Sequence, residues 1–169
     1  MAKFGLIGKR LDYSFSKTFF DRKFQAENLP HTFENVEIAA IDEIKGIFEK
    51  GGFSGLTVTI PYKEQIIPFL DELSDEATAI GAVNCIQFHS GKHIGYNTDA
   101  FGFHQSIKPF LTNQHERALI LGTGGASKAV AYVLQQIGVT VYFISRNPQK
   151  ANEFPYEAIN EHMLKACLS

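Results

Sequence analysis

The chain has 169 residues, 44% of them hydrophobic and 20% charged, which is ample material for a buried core in one large domain or two small ones. A formal net charge of -2 and a pI near 6.3 provide no broad basic field, which argues against nucleic acid or an anionic membrane as the main partner. Cys85 and Cys167 are the only cysteines and no apolar run approaches membrane-spanning length, so a disulfide framework, a zinc spacing, a secretion signal and a membrane anchor are not expected, whereas a reducing cytoplasm is.

Short apolar strands alternate with amphipathic helices, the pattern of an α/β protein. Strands are predicted over residues 3–8, 32–38 and 55–60, with helices over 17–27 and 41–50 between them. Pro61 fits the first turn of a further helix that Pro68 interrupts, and Ser74-Asp75-Glu76 reads as a cap and an acidic first turn. Residues 85–89 and 93–96 form a hairpin turning at Ser90-Gly91-Lys92, which makes His89 and His93 flanks of a solvated turn rather than a metal site. A helix over 99–111 runs into the polar stretch Thr112-Asn113-Gln114-His115-Glu116-Arg117, taken as the boundary between domains of residues 1–111 and 112–169. Beyond it come the strand Ala118-Leu119-Ile120-Leu121, a glycine turn, a helix over 128–137 and a strand over 139–144.

That turn, Gly122-Thr123-Gly124-Gly125-Ala126-Ser127, passes from a strand directly into a helix, as a dinucleotide site begins. Glycines let the backbone turn tightly and approach a pyrophosphate, whose charge is met by free N–H groups and the positive end of the helix dipole. Ser127 stands where a third glycine normally allows close helix packing. The second strand ends in Ser145-Arg146-Asn147, where an NAD site usually places an acidic residue against the ribose 2′-OH. Arg146 points instead to a 2′-phosphate and so to NADP; an ordinary surface arginine at a strand end is the alternative.

In the first domain, polar groups gather at strand ends, where open α/β sheets bind ligands. Ser14 and Ser16 are two apart and on an extended chain would present their hydroxyls together to one carboxylate, unless Ser16 only caps the following helix. Thr57 and Thr59 share a strand face. Lys63 falls in the first turn of the helix that Pro61 begins, where a cation opposes the dipole and invites a functional explanation beside that of a solvated lysine. Asn84 follows Gly81-Ala82-Val83 and serves as a ligand or as a turn residue, and Asp99, in Asn97-Thr98-Asp99, serves as a catalytic group or as an N-cap.

Taken together, Ser14-Phe15-Ser16, the segment ending at Lys63, Gly81-Ala82-Val83-Asn84, Asn97-Thr98-Asp99, the glycine turn and Ser145-Arg146 resemble the shikimate dehydrogenase family in order and spacing. The resemblance implies a three-layer α/β substrate domain followed by the first, incomplete part of a Rossmann-like NADP-binding domain. It also implies NADPH-dependent reduction of 3-dehydroshikimate to shikimate, on the route through chorismate to the aromatic amino acids. Carried over by position, Ser14 and Ser16 hold the substrate carboxylate, Thr59 and Asn84 bind ring hydroxyls or the carboxylate, and Lys63 with Asp99 is the catalytic pair. Gly122, Gly124, Gly125 and Ala126 present backbone to the pyrophosphate, and Ser145 and Arg146 read the 2′-phosphate. No metal is implied.

The sequence departs from the family pattern at Lys17, often proline, at Thr57, often asparagine, and at Asn147, often threonine or serine. The family's nicotinamide-side residues, a substrate-binding glutamine and its last helices would lie beyond Ser169, so a C-terminally truncated product with little activity is expected. Such a product is expected to self-associate through an unfinished sheet edge. Alternatives are a quinate/shikimate dehydrogenase using NAD, or a catalytically silent fragment that only binds substrate or self-associates.

Overall fold

The computed structural model describes residues 1–145 and the strand Glu157–Ile159. Chain contacts divide it into two units, Met1–Asn97 and Thr98–Ser169. In the first unit, strands β1 (Lys3–Gly8), β2 (Thr32–Glu37), β3 (Gly55–Val58), β4 (Glu72–Leu73), β5 (Cys85–His89) and β6 (Lys92–Tyr96) make one sheet in the order β2-β1-β3-β5-β6-β4. β1 pairs in parallel with β2 and β3, while β5 runs antiparallel to both β3 and β6. The helices are α1 (Ser16–Ala26), α2 (Ile44–Lys50) and α3 (Asp75–Ile80).

Side chains alternate across a strand, so Leu6 and Ile7 enter different cores. Leu6 packs with Leu11, Phe24 of α1 and Phe33, whereas Ile7 packs with Ile44 of α2, Ala77 of α3, Leu56 and Val58. One sheet is thereby covered on both faces, which is the three-layer arrangement expected for the first domain. The cap at Ser74 forms as expected: its Oγ accepts the Ala77 N–H at 3.1 Å, Asp75 and Glu76 occupy the first turn, and Gly81 ends α3 in the left-handed conformation (φ 68°).

The helix expected from Pro61 does not form. Ile60–Pro61 is a cis peptide, residues 61–66 are turns, and a 3-10 segment covers Ile67–Phe69. Pro68 has no N–H to give and disfavours helical backbone in the residue before it, so the run cannot lengthen into an α-helix. Lys63 therefore does not sit in a helix's first turn, and no helix dipole opposes its charge. β4, with only two residues, carries no alternation that a sequence pattern could show.

The second unit holds α4 (Asp99–Ile107), β7 (Arg117–Leu121), α5 (Gly125–Gln136), β8 (Thr140–Ile144) and β9 (Glu157–Ile159). β7, β8 and β9 pair in parallel in that order, so the sheet continues one strand past the strand-helix-strand unit read from sequence. Its core is Ile120, Ala131, Leu134, Val141 and Phe143, and Phe103 and Ile107 of α4 pack against it. That apolar face is why the division falls before α4 and not at the polar stretch 112–117. α4 stops at Ile107 in a 3-10 turn containing Pro109, short of the expected end. Among the described residues no helix is long and apolar enough to cross a membrane.

At the end of β1, a Cβ on Gly8 would lie 2.5 Å from Leu11 Cδ2 and 2.8 Å from Thr59 Cγ2. Leu11 is fully buried and cannot swing away. Gly8→Ala is expected to cost about 1–3 kcal/mol, the usual range for overpacking, as a lowered midpoint in urea denaturation.

Candidate functional site

The chain leaving β1 is held by a relay of hydrogen bonds. The Leu11 amide donates to Glu37 Oε1 at 2.6 Å, the Ser14 amide donates to the Leu11 carbonyl at 2.9 Å, and the Ser16 amide donates to Ser14 Oγ at 3.3 Å. α1 begins at Ser16 with Phe15 in the capping position and no side-chain cap, so Ser16 is not the N-cap of its helix. Lys17 in the first turn is offset by an ion pair to Asp21 at 2.5 Å.

A cavity of about 200 Å³ opens here, with Ser14, Ser16 and Thr59 in its wall and the buried Leu6 and Leu11 at its base. Tyr13 and Phe15, 70% and 74% exposed, stand at its mouth. The structure thus brings three of the sequence-predicted residues together from two separate segments. Thr57 has another duty: its hydroxyl donates to the Gly5 carbonyl at 3.2 Å.

Backbone bonds gather the next residues around the end of β3. The Thr59 amide donates to the Ile7 carbonyl at 2.9 Å, the Val58 amide to the Asn84 carbonyl at 2.9 Å, and the Val83 amide to the Lys63 carbonyl at 2.7 Å. Tyr62, beside Lys63, is buried and its hydroxyl donates to the Ile38 carbonyl at 2.8 Å; burial first, and then the charge of Glu43, raises its pKa. Lys63 and Asn84 are half-buried. Asn97, which the sequence marks only as part of Asn97-Thr98-Asp99, is buried, and its Nδ2 donates to the Ala82 carbonyl at 2.9 Å. It holds the loop that carries Asn84.

Asp99 belongs to the second unit, where it is the first residue of α4 and Thr98 takes the capping position. It is therefore not the N-cap; a carboxylate in that first turn is favourable by about 0.3–1 kcal/mol through the helix dipole.

In the glycine turn, Gly122 has φ 97° and its amide donates to the Ile144 carbonyl at 2.8 Å. A side chain there would be strained. Gly124 caps α5 in extended backbone, with Gly125 and Ala126 opening the helix. A Cβ on Gly124 would meet nothing within 4 Å, and one on Gly122 would meet only Ser127 Oγ, at 3.9 Å. Uncovered backbone at the start of a twelve-residue helix fits a phosphate group. Ser145 follows β8, and Arg146 lies outside the described residues.

The first unit also carries a larger apolar groove of about 590 Å³, lined among others by Phe4, Phe20, Phe24, Phe33, Cys85 and Tyr96. Burial pushes the Cys85 thiol pKa up. No sequence signal marked this groove, because its lining is gathered from segments far apart in the chain.

Residues 6–86 match the model of the shikimate dehydrogenase substrate binding domain. The chain is 40% identical over 167 residues to the shikimate dehydrogenase (NADP(+)) of Aquifex aeolicus, a match covering 93% of this chain and 61% of that protein. It is 42% identical over 155 residues to the enzyme of the same name from Chlorobium chlorochromatii, covering 88% and 54%. Among solved structures, shikimate dehydrogenase 1 of Peptoclostridium difficile superposes with a TM-score of 0.87 at 37% identity, covering 98% of this chain and 62% of that one. The Thermus thermophilus shikimate 5-dehydrogenase in complex with NADP(H) and shikimate gives a TM-score of 0.80 at 32% identity, covering 94% and 63%. This chain therefore spans between half and two thirds of the length of these relatives.

Asn97→Ala removes the donor to a carbonyl in a buried setting. A loss of about 1–3 kcal/mol is expected in urea denaturation, the usual cost of stranding a buried polar group.

Proposed function

We propose, from the premise that the chain belongs to the shikimate dehydrogenase family, that it takes part in the reversible NADPH-dependent reduction of 3-dehydroshikimate to shikimate. That reaction is the oxidoreductase step on the way to chorismate and the aromatic amino acids. The observation that carries the reading is the small cavity with the hydroxyl-bearing residues Ser14, Ser16 and Thr59 in its wall. Because Ser14 Oγ accepts the Ser16 amide, its own proton remains to be donated outward, as a carboxylate requires. Asn84 supplies an amide able to donate to and accept from ring hydroxyls.

Lys63 is assigned as the group that stabilises negative charge on the carbonyl oxygen and returns a proton to it. Asp99 is assigned as the second member of the catalytic set. A bound NADPH supplies the hydride for the carbonyl carbon. Gly122, Gly124, Gly125 and Ala126 would hold its pyrophosphate, supported by the open space over Gly124, and Ser145 and Arg146 would read the 2′-phosphate. Self-association is assigned to β7, one edge strand of the three-stranded sheet among the described residues, on which Leu121 is 76% exposed.

The test is a titration with shikimate followed by a dehydrogenase assay on the same sample, with NADP and NAD and with quinate as the competing substrate. Saturable shikimate binding is expected, and its absence would remove the assignment. Ser14→Ala should weaken binding about 10- to 100-fold, the cost of one hydrogen bond to a charged group. In an active full-length version, Lys63→Ala should lower kcat by roughly 10² to 10⁴ while changing binding less; near wild-type kcat there would take Lys63 out of the mechanism. Binding without turnover in the parent chain would make it a substrate-binding protein. Light scattering should show assemblies that dissociate in Leu121→Lys.

A further inference from the structure

We propose that Glu37 is a positioning residue for the small cavity, acting through Leu11 on the loop that carries Ser14 and Ser16. This rests on the reading of that cavity as the carboxylate site. Glu37 closes β2, where it lies in register with Gly8, and the next amide, that of Ile38, donates to the Gly8 carbonyl at 3.0 Å. Its backbone is thus fixed beside the point at which the loop leaves β1. From there the side chain reaches over the loop, and Oε1 accepts the Leu11 amide at 2.6 Å, a short, charge-assisted bond.

Residues 9–15 have no strand or helix to hold them. What fixes them is the Glu37 bond, the Ser14-to-Leu11 backbone bond and the burial of Leu11, whose side chain is also the base of the cavity. Of these, only the Glu37 bond ties the loop's polar backbone to the sheet. Releasing the Leu11 amide frees the turn over residues 11–14, and with it the Ser14 hydroxyl that meets the Ser16 amide. Glu37 is absent from the cavity lining, so it does not touch a ligand there.

Two variants separate positioning from bulk. Glu37→Gln keeps an acceptor oxygen at the same reach, and Glu37→Met keeps the length without one. Shikimate affinity is expected to fall about tenfold in Glu37→Met and to stay within about threefold of the parent in Glu37→Gln. In ¹⁵N–¹H spectra of the free protein, the Leu11 and Ser14 amide signals should move in Glu37→Met and hold in Glu37→Gln. Equal losses in both variants, or unmoved Leu11 and Ser14 signals in Glu37→Met, would overturn the positioning role. A parent chain that binds no shikimate would overturn the reading of the cavity and this inference with it, whatever the amide signals report about the loop.

Discussion

At the C-terminal end of β1 the first unit has no room for a side chain, and the rest of that unit is arranged around this crowding. Gly8 lets Leu11 fold back against the strand end and lets Thr59 come alongside, both within what would be overlapping distance of a Cβ. The packing of Leu11 turns the loop sharply, and the sharp turn puts Ser14 and Ser16 over the same strand ends that carry Thr59. Parallel pairing of β1 with β2 and β3 is a precondition, since it delivers three strand ends to one edge of the sheet. Hydroxyl groups from separate segments can meet there only because the strands all stop together.

Polar backbone completes what packing begins. Lys63 and Asn84 lie in irregular segments, and both are tied by main-chain bonds to Val83 and Val58, so the chemistry of their side chains is mounted on bonds that do not depend on it. Asn97 adds a side-chain brace to that region through its bond to the Ala82 carbonyl. In the second unit the same economy holds: the glycine turn offers main-chain N–H groups at the start of a helix, and no side chain covers Gly124.

Features written in consecutive residues were legible in the sequence. The Ser74 cap with its two acids, the hairpin expected at Ser90-Gly91-Lys92 (its strand β6 beginning one residue early, at Lys92) and the strand-to-helix glycine turn are each written locally, because cap, turn and dipole act over a few residues. Ser14, Ser16 and Thr59 could be proposed as a set only through the family pattern; their meeting depends on the fold of the loop after Gly8. Features that depend on distant partners were misread or missed. Pro61 suits the first turn of a helix, yet Tyr62 is captured by the Ile38 carbonyl and Pro68 denies the run its continuation. α4 follows the first unit in the chain but spends its apolar face on the second. Glu37 reads as a polar strand end until its carboxylate is found on an amide far away in sequence.

Gly122 and Gly124, in the turn after β7, answer to different demands. At Gly122 the positive φ makes glycine a requirement of folding, whatever binds. At Gly124 the backbone is extended and the space beside it is empty, so the fold is indifferent to a methyl group there. A mutational library sorted for abundance would keep glycine at 122 and let 124 drift, whereas one sorted for ligand retention would hold both. The difference between the two profiles would read out, residue by residue, which parts of this turn serve the fold and which a bound ligand would require.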